Sequence, residues 1–130
     1  MPSINKKSSK PTNNYIPQYK RLILNNIYNK YYAAFRPYRE RHIQTNPLDE
    51  LELLEGKIVV AQHVHHCIEI LSGKSDEEKM WLATNSANLI SVSKDMHYKI
   101  HNHFDDLTYK QKRYLMDKID TVKKQFKDVF

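Results

Sequence analysis

The chain has 130 residues, of which 40% are hydrophobic and 11% aromatic, and a formal charge of +6. That length gives one domain with a modest core, and that composition excludes global disorder. One cysteine, Cys67, excludes an internal disulfide, and no run approaches a membrane span or an apolar signal core, so a soluble cytoplasmic protein is expected.

The positive charge is unevenly placed. Residues 1–41 hold nine Lys/Arg against Glu40 alone, residues 42–56 hold four acids and no Lys/Arg, and the remainder is close to balance. A basic N-terminal third suits a phosphate-backbone partner, and equally a solubilising arm. Residues 1–18 are rich in Ser, Asn, Lys and Pro without periodicity and read as a flexible basic arm. Residues 19–56 form an N-terminal helix and connector. Apolar positions Leu24, Ile27, Tyr28, Tyr31 and Phe35 recur at helical spacing, which predicts a helix over Tyr19–Phe35 that ends before Pro37. The tyrosines here are expected to pack that helix on the core. Arg36, Arg39 and Arg41 follow just after that helix as the densest arginine group and are candidate DNA-backbone contacts, with a solvated turn as the alternative. His42 shows no partner spacing.

Asn46-Pro47 marks a turn, and Leu48–Leu54 reads as a short helix or irregular connector that Gly56 breaks. Residues 57–104 are the expected core. Ile58, Val59, Val60 and Val64 are β-branched and predict a short strand that delivers the adjacent pair His65-His66 to its end. Neighbours on a strand point to opposite faces, so these two imidazoles cannot do the same job. His63 shares the face of His65, as a DNA contact, a supporting group or a surface residue, the last being preferred. Cys67 is expected to be a small core residue, and Glu69 either supports the site or is exposed. Ser75 followed by three acids predicts a helix start, with Trp81 packing that helix on the core.

Downstream, Ser93 caps a helix carrying His97 and His101, four apart and hence on one helical face. That pair is a two-point clamp for a metal, and one member of the His65-His66 pair supplies a third ligand. The other stays unligated beside the ion, where a neutral imidazole can take a proton from water. His103 is off the clamp face. Over residues 105–130, Leu115, Ile119, Val122, Phe126 and Val129 form a heptad-like stripe on a helix capped by Thr108. The stripe is expected to pack back on the domain, against the Tyr19–Phe35 helix.

A strand with His-His, Asn88 opening the apolar run Leu89-Ile90, and His-x-x-x-His on a following helix resemble the HNH nuclease family. The resemblance covers Val59 to His103. It implies a mostly helical α+β fold around a ββα-metal core. His65, His97 and His101 would hold one divalent ion (Mg, Mn, Ni or Zn), His66 would be the general base, and Asn88 would brace the loop that orients it. The chain lacks the two Cys-x-x-Cys pairs of many phage-type members, with Ser93 and Met96 standing where the second would fall. In that respect it is similar to the colicin-type branch, and no structural zinc is expected.

Other metal sites fit less well. The His97–His101 run has zincin spacing, but Tyr98 stands where a protease needs its Glu. Zinc deaminases and zinc fingers need more cysteines than one. The expected function is metal-dependent DNA endonuclease activity in a bacterial or phage-infected cell, with DNA as partner, no membrane and no small-molecule cofactor. Activity should fall on the acid side as His66 protonates. A non-cleaving DNA-binding or DNA-packaging accessory is the alternative, and a histidine metal-binding protein with no nucleic-acid role comes third.

Overall fold

The computed structural model describes residues 18–130 and, within the first helix, side chains from residue 29 onward. Most of the expected basic arm, and the apolar positions Leu24, Ile27 and Tyr28, lie outside what is described. Contacts divide the chain after Lys30, and Tyr31–Phe130 forms one compact unit. The expected core over 57–104 and the tail over 105–130 share that unit.

The architecture is mostly helical α+β. Helix α1 spans Gln18–Thr45, α2 Glu50–Leu53, α3 Asp76–Thr84, α4 Lys94–Asn102 and α5 Tyr109–Val129. Strands β1 (His63–His66) and β2 (Leu89–Val92) pair antiparallel, with His63 opposite Val92 and His66 opposite Leu89.

Two expectations are corrected. The first helix does not stop before Pro37 but runs through it to Thr45. Proline removes one N–H, the donor to the Ala33 carbonyl, while its fixed φ is itself helical. Burial of Tyr31 and Phe35, six and two residues earlier, holds the helix to the core. Nor does the strand begin at Ile58. Ile58 and Val60 are 72% and 69% exposed, and Val60 makes only an isolated bridge to Leu48. β-branched residues favour a strand only where a neighbour packs on them.

The helix starts follow local chemistry. Ser75 Oγ accepts the Glu78 N–H, and Ser93 Oγ accepts the Met96 N–H. Thr108 and Gln111 form a reciprocal capping box. A buried Asp49 caps α2 by accepting the Leu51 and Glu52 N–H groups through Oδ1, at 2.9 and 2.8 Å.

The β1–β2 pair separates two cores, because side chains alternate across a strand. On one face Val64 and Leu89 pack with Tyr31, Phe35, Ile70 and Ala83. On the other, Ile90 and Val92 pack with Leu51, Met96, Leu107 and Leu115. Of the α5 stripe, Leu115 and Val122 are buried, whereas Val129 is 57% exposed. Among the described residues α5 neighbours α2 and the 3-10 turn Ser86–Asn88, and the expected packing on the Tyr19–Phe35 helix falls largely outside the described residues. Among the described residues no helix is long and apolar enough to cross a membrane.

Candidate metal centre

Three imidazoles converge where β1 meets α4. His65 comes from β1, on the face that β2 presents Ile90 and Val92 to, and His97 and His101 come from successive turns of α4. Their ligand nitrogens all lie within 4.8 Å of one another. His97 Nε2 and His101 Nε2 are 3.0 Å apart, and the His65 ring centroid is 5.3 and 5.1 Å from theirs. Two nitrogens on a tetrahedral ion at about 2.1 Å sit roughly 3.4 Å apart, so this spacing is near that of a liganding pair.

The surroundings of His65 and His97 disfavour their protonated forms. Burial, then the charges of His97, His101 and His66, lowers His65 from 6.5 to about 3. Burial, then His101 and His63, lowers His97 to about 4. At neutral pH both therefore offer a lone pair, which is what a metal requires. His101 is exposed, so one side of the cluster opens to solvent. An all-nitrogen donor set suits a borderline ion such as Zn or Ni, and the three histidines sit close enough to hold a metal ion.

Helix α4 is placed by its first turn. Asp49 Oδ2 accepts the Ser93 N–H at 2.7 Å, and Gln62 Oε1 accepts the Lys94 N–H at 3.0 Å. Asp49 thus caps α2 and locks the N-cap of the helix that carries His97 and His101. Beside it, Glu50 accepts from the Ser91 N–H at 2.7 Å and the Tyr114 hydroxyl at 2.5 Å, and pairs with His42 Nε2 at 2.8 Å. Burial raises the Glu50 pKa, but the bonds from His42, Tyr114 and Ser91 outweigh it and hold the carboxyl below its ordinary value. His42, unassigned in the sequence, belongs to this network.

Asn88 is fully buried. Its Oδ1 accepts the Ile68 N–H at 2.8 Å, and its Nδ2 donates to the Ile68 and Leu82 carbonyls at 2.9 and 3.0 Å. Its own carbonyl accepts the Cys67 N–H at 2.8 Å. The residue therefore ties the segment just after His66 to α3.

His66 lies on the other face of β1. Its ring centroid is 4.3 Å from that of Phe35, and Nε2 is 3.1 Å from the Ala83 carbonyl oxygen. A carbonyl only accepts, so Nε2 carries the proton and Nδ1 keeps the lone pair. Burial lowers the His66 pKa, with the Ala83 bond pulling the other way. The structure brings His65, His97 and His101 together and leaves His66 outside that cluster.

His63 is the residue that sequence reasoning undervalued. It is half-buried, its ring 5.1 Å from that of His97, not a plain surface side chain. The signal was its position two before His65, on the same strand face. His103 is exposed against Tyr98 and Glu69 is exposed. Burial pushes the Cys67 thiol up to about 12, as its core assignment requires.

The three arginines lie inside α1 rather than on a turn, because the helix continues past Pro37. Arg36 sits over the Tyr32 ring and Arg41 over the Tyr38 ring, at 5.8 and 5.2 Å. Arg39 donates to the Gln62 carbonyl at 3.1 Å, one residue before β1. At 3.6 residues per turn Arg41 is about 140° around the helix from Arg36, so the three do not form one patch.

Fold and site together define a mostly helical α+β protein with a strand–helix cluster of three histidines able to hold a metal ion. No family model, curated protein or solved structure matches the chain.

Proposed function

We propose that the protein is a metal-dependent DNA endonuclease of the HNH type. The observation that carries this reading is the convergence of His65, His97 and His101, one from a strand and two from a helix, with His66 next to His65 in the chain. When bound there, a divalent ion supplies Lewis-acid stabilisation of the charge that grows on the phosphate and on the leaving oxygen.

The rest falls to the chain's own groups. His66 Nδ1 takes the proton of the attacking water, while Nε2–H stays on the Ala83 carbonyl and fixes the ring. Asn88 holds the segment after His66 against α3, so that the base does not drift. Arg36, Arg39 and Arg41 supply cations for phosphate contacts, Arg39 being the one hydrogen-bonded next to β1. The acid limb of the rate should lie below the ordinary histidine range, because burial lowers the His66 pKa. The reducing cytoplasm of a bacterial or phage-infected cell is the setting that fits.

One observation favours a second reading. The His66 ring packs on Phe35, on the face of β1 opposite the cluster, which suits a non-cleaving DNA-binding or DNA-packaging accessory. Supercoiled-plasmid cleavage by wild type and His66→Ala, with Mg, Mn, Ni or Zn and with EDTA, separates the two. Metal-dependent cleavage that the variant loses while it still binds metal establishes the nuclease and the base. Absence of cleavage with every ion, alongside salt-sensitive DNA binding, selects the accessory.

A further inference from the structure

Between α3 and α5 lies an open groove of about 650 Å³. Its base is aliphatic, and its wall is formed by Trp81 and Phe126, with ring centroids 5.9 Å apart at 62°. Lys74, Lys123 and Lys127 complete the lining together with one acid, Glu78. Glu78 Oε1 accepts the Lys74 backbone N–H at 2.9 Å, which turns it toward the main chain. Among the described residues no carboxylate lies within 4.0 Å of any of the three ammonium groups.

An apolar groove of this volume has the size of a ligand site, and an open apolar surface of this kind marks a binding function. Its ligand must be anionic, because three uncompensated cations surround it. Lys123 and Lys127 are four apart and lie one above the other on α5. The helix as a whole carries seven Lys/Arg against three Asp, a field suited to a polymer of negative charge rather than to a single carboxylate. Two aromatic rings set edge to face at 62° beside that field offer a nucleobase one ring face to stack on and one edge to abut. Single-stranded nucleic acid is held in this way, with bases on aromatic rings and phosphates on cations. Paired bases of an intact duplex are stacked inside it and cannot enter.

We propose that the groove between α3 and α5 binds unpaired nucleotides of single-stranded DNA, a base against Trp81 and Phe126 and phosphates on Lys74, Lys123 and Lys127. This inference rests on the DNA-cleavage reading, since it gives that enzyme a bias for frayed or single-stranded segments. An acidic peptide would satisfy the lysines but would leave the aromatic wall without a specific partner.

Trp81 is the sole tryptophan of the chain, so its fluorescence reports on this groove alone. The full metal-free chain is titrated with an oligothymidylate of about ten nucleotides, within the usual site-size range, with a blunt duplex of equal length, and with polyglutamate. The expected result is saturable quenching by the oligothymidylate at lower concentration than by the duplex. Three phosphate contacts on a single strand predict an affinity about 20-fold weaker at about 200 mM salt than at about 50 mM. Lys123→Ala with Lys127→Ala leaves one contact and about a threefold change over the same range. Both lysines are exposed, so the variant keeps the fold. Absence of quenching by the oligothymidylate, equal quenching by the duplex, or a response to polyglutamate alone each overturns the proposal, the last in favour of an acidic protein partner. Because the titration needs no metal, a chain that quenches but never cuts refutes only the nuclease reading. One that cuts without a Trp81 response refutes only the groove.

Discussion

Lowering the metal-free protein from about pH 7 to about pH 5 sets the buried imidazole of the centre against the fold. His65 is 8% exposed, and burial followed by its neighbouring imidazoles brings its pKa from 6.5 to about 3. Its folded pKa is thus depressed, so between those values the unfolded chain binds a proton that the folded chain refuses. Its contribution is intact above 6.5 and declines as pH falls toward 3. At pH 5 the unfolded state has gained about 1.5 pH units of proton binding, worth about 2 kcal/mol. For a domain whose whole stability is roughly 5–15 kcal/mol this is a large fraction. Glu50 adds acid sensitivity of the same sign, but below its ordinary 4.5 and hence outside this window. Urea denaturation of metal-stripped wild type and His65→Gln, followed by Trp81 fluorescence at several pH values, isolates the histidine. Wild type should lose about 2 kcal/mol more than the variant over that interval. Parallel losses in the two proteins would refute the buried-imidazole argument.

Two further outcomes follow from buried hydrogen bonds. Asn88→Ala leaves the Ile68 N–H and the Ile68 and Leu82 carbonyls without their partner, and at about 1 kcal/mol or more each the domain should lose about 3 kcal/mol in chemical denaturation. A loss below about 1 kcal/mol would mean that these groups find other partners. Asp49→Ala removes an N-cap and the acceptor of the Ser93 N–H, which should cost about 2–4 kcal/mol. It should also weaken zinc affinity by chelator competition, because the α4 N-cap is no longer held. Unchanged zinc affinity in a folded variant would show that Asp49 does not position the centre.

What was legible in the sequence was what local chemistry decides. Ser75, Ser93 and Thr108 each cap the helix they announce, because a cap needs only its own backbone three residues on. The His97–His101 clamp was readable for the same reason, as helical spacing fixes the face. Tertiary contacts decided the remainder. Pro37 looked like a terminus, yet one lost hydrogen bond is outweighed by core packing of Tyr31 and Phe35 before it and of the partly buried Tyr38 and Ile43 after it. Ile58 and Val60 had strand chemistry and no strand to join. His42 could not be assigned, since its partner Glu50 is shared with Ser91 and Tyr114 from distant elements. Nothing along β1 foretold that His66 would meet Phe35, which lies far upstream in the chain.

Helix α2 is four residues long, far too short to persist in an isolated chain. Its Glu50 and its N-cap Asp49 nevertheless join β2, the start of α4 and, through Tyr114, α5, across separations of 41, 44 and 64 residues. Contacts so distant in the chain close large loops and are entropically expensive to form early. In kinetic terms the separations predict that α2 docks late. The strand and helix that carry the three histidines can form their local turns beforehand, but their mutual geometry is fixed only at the final docking step. A chain still emerging during synthesis would hold the ligands in sequence without yet holding the centre.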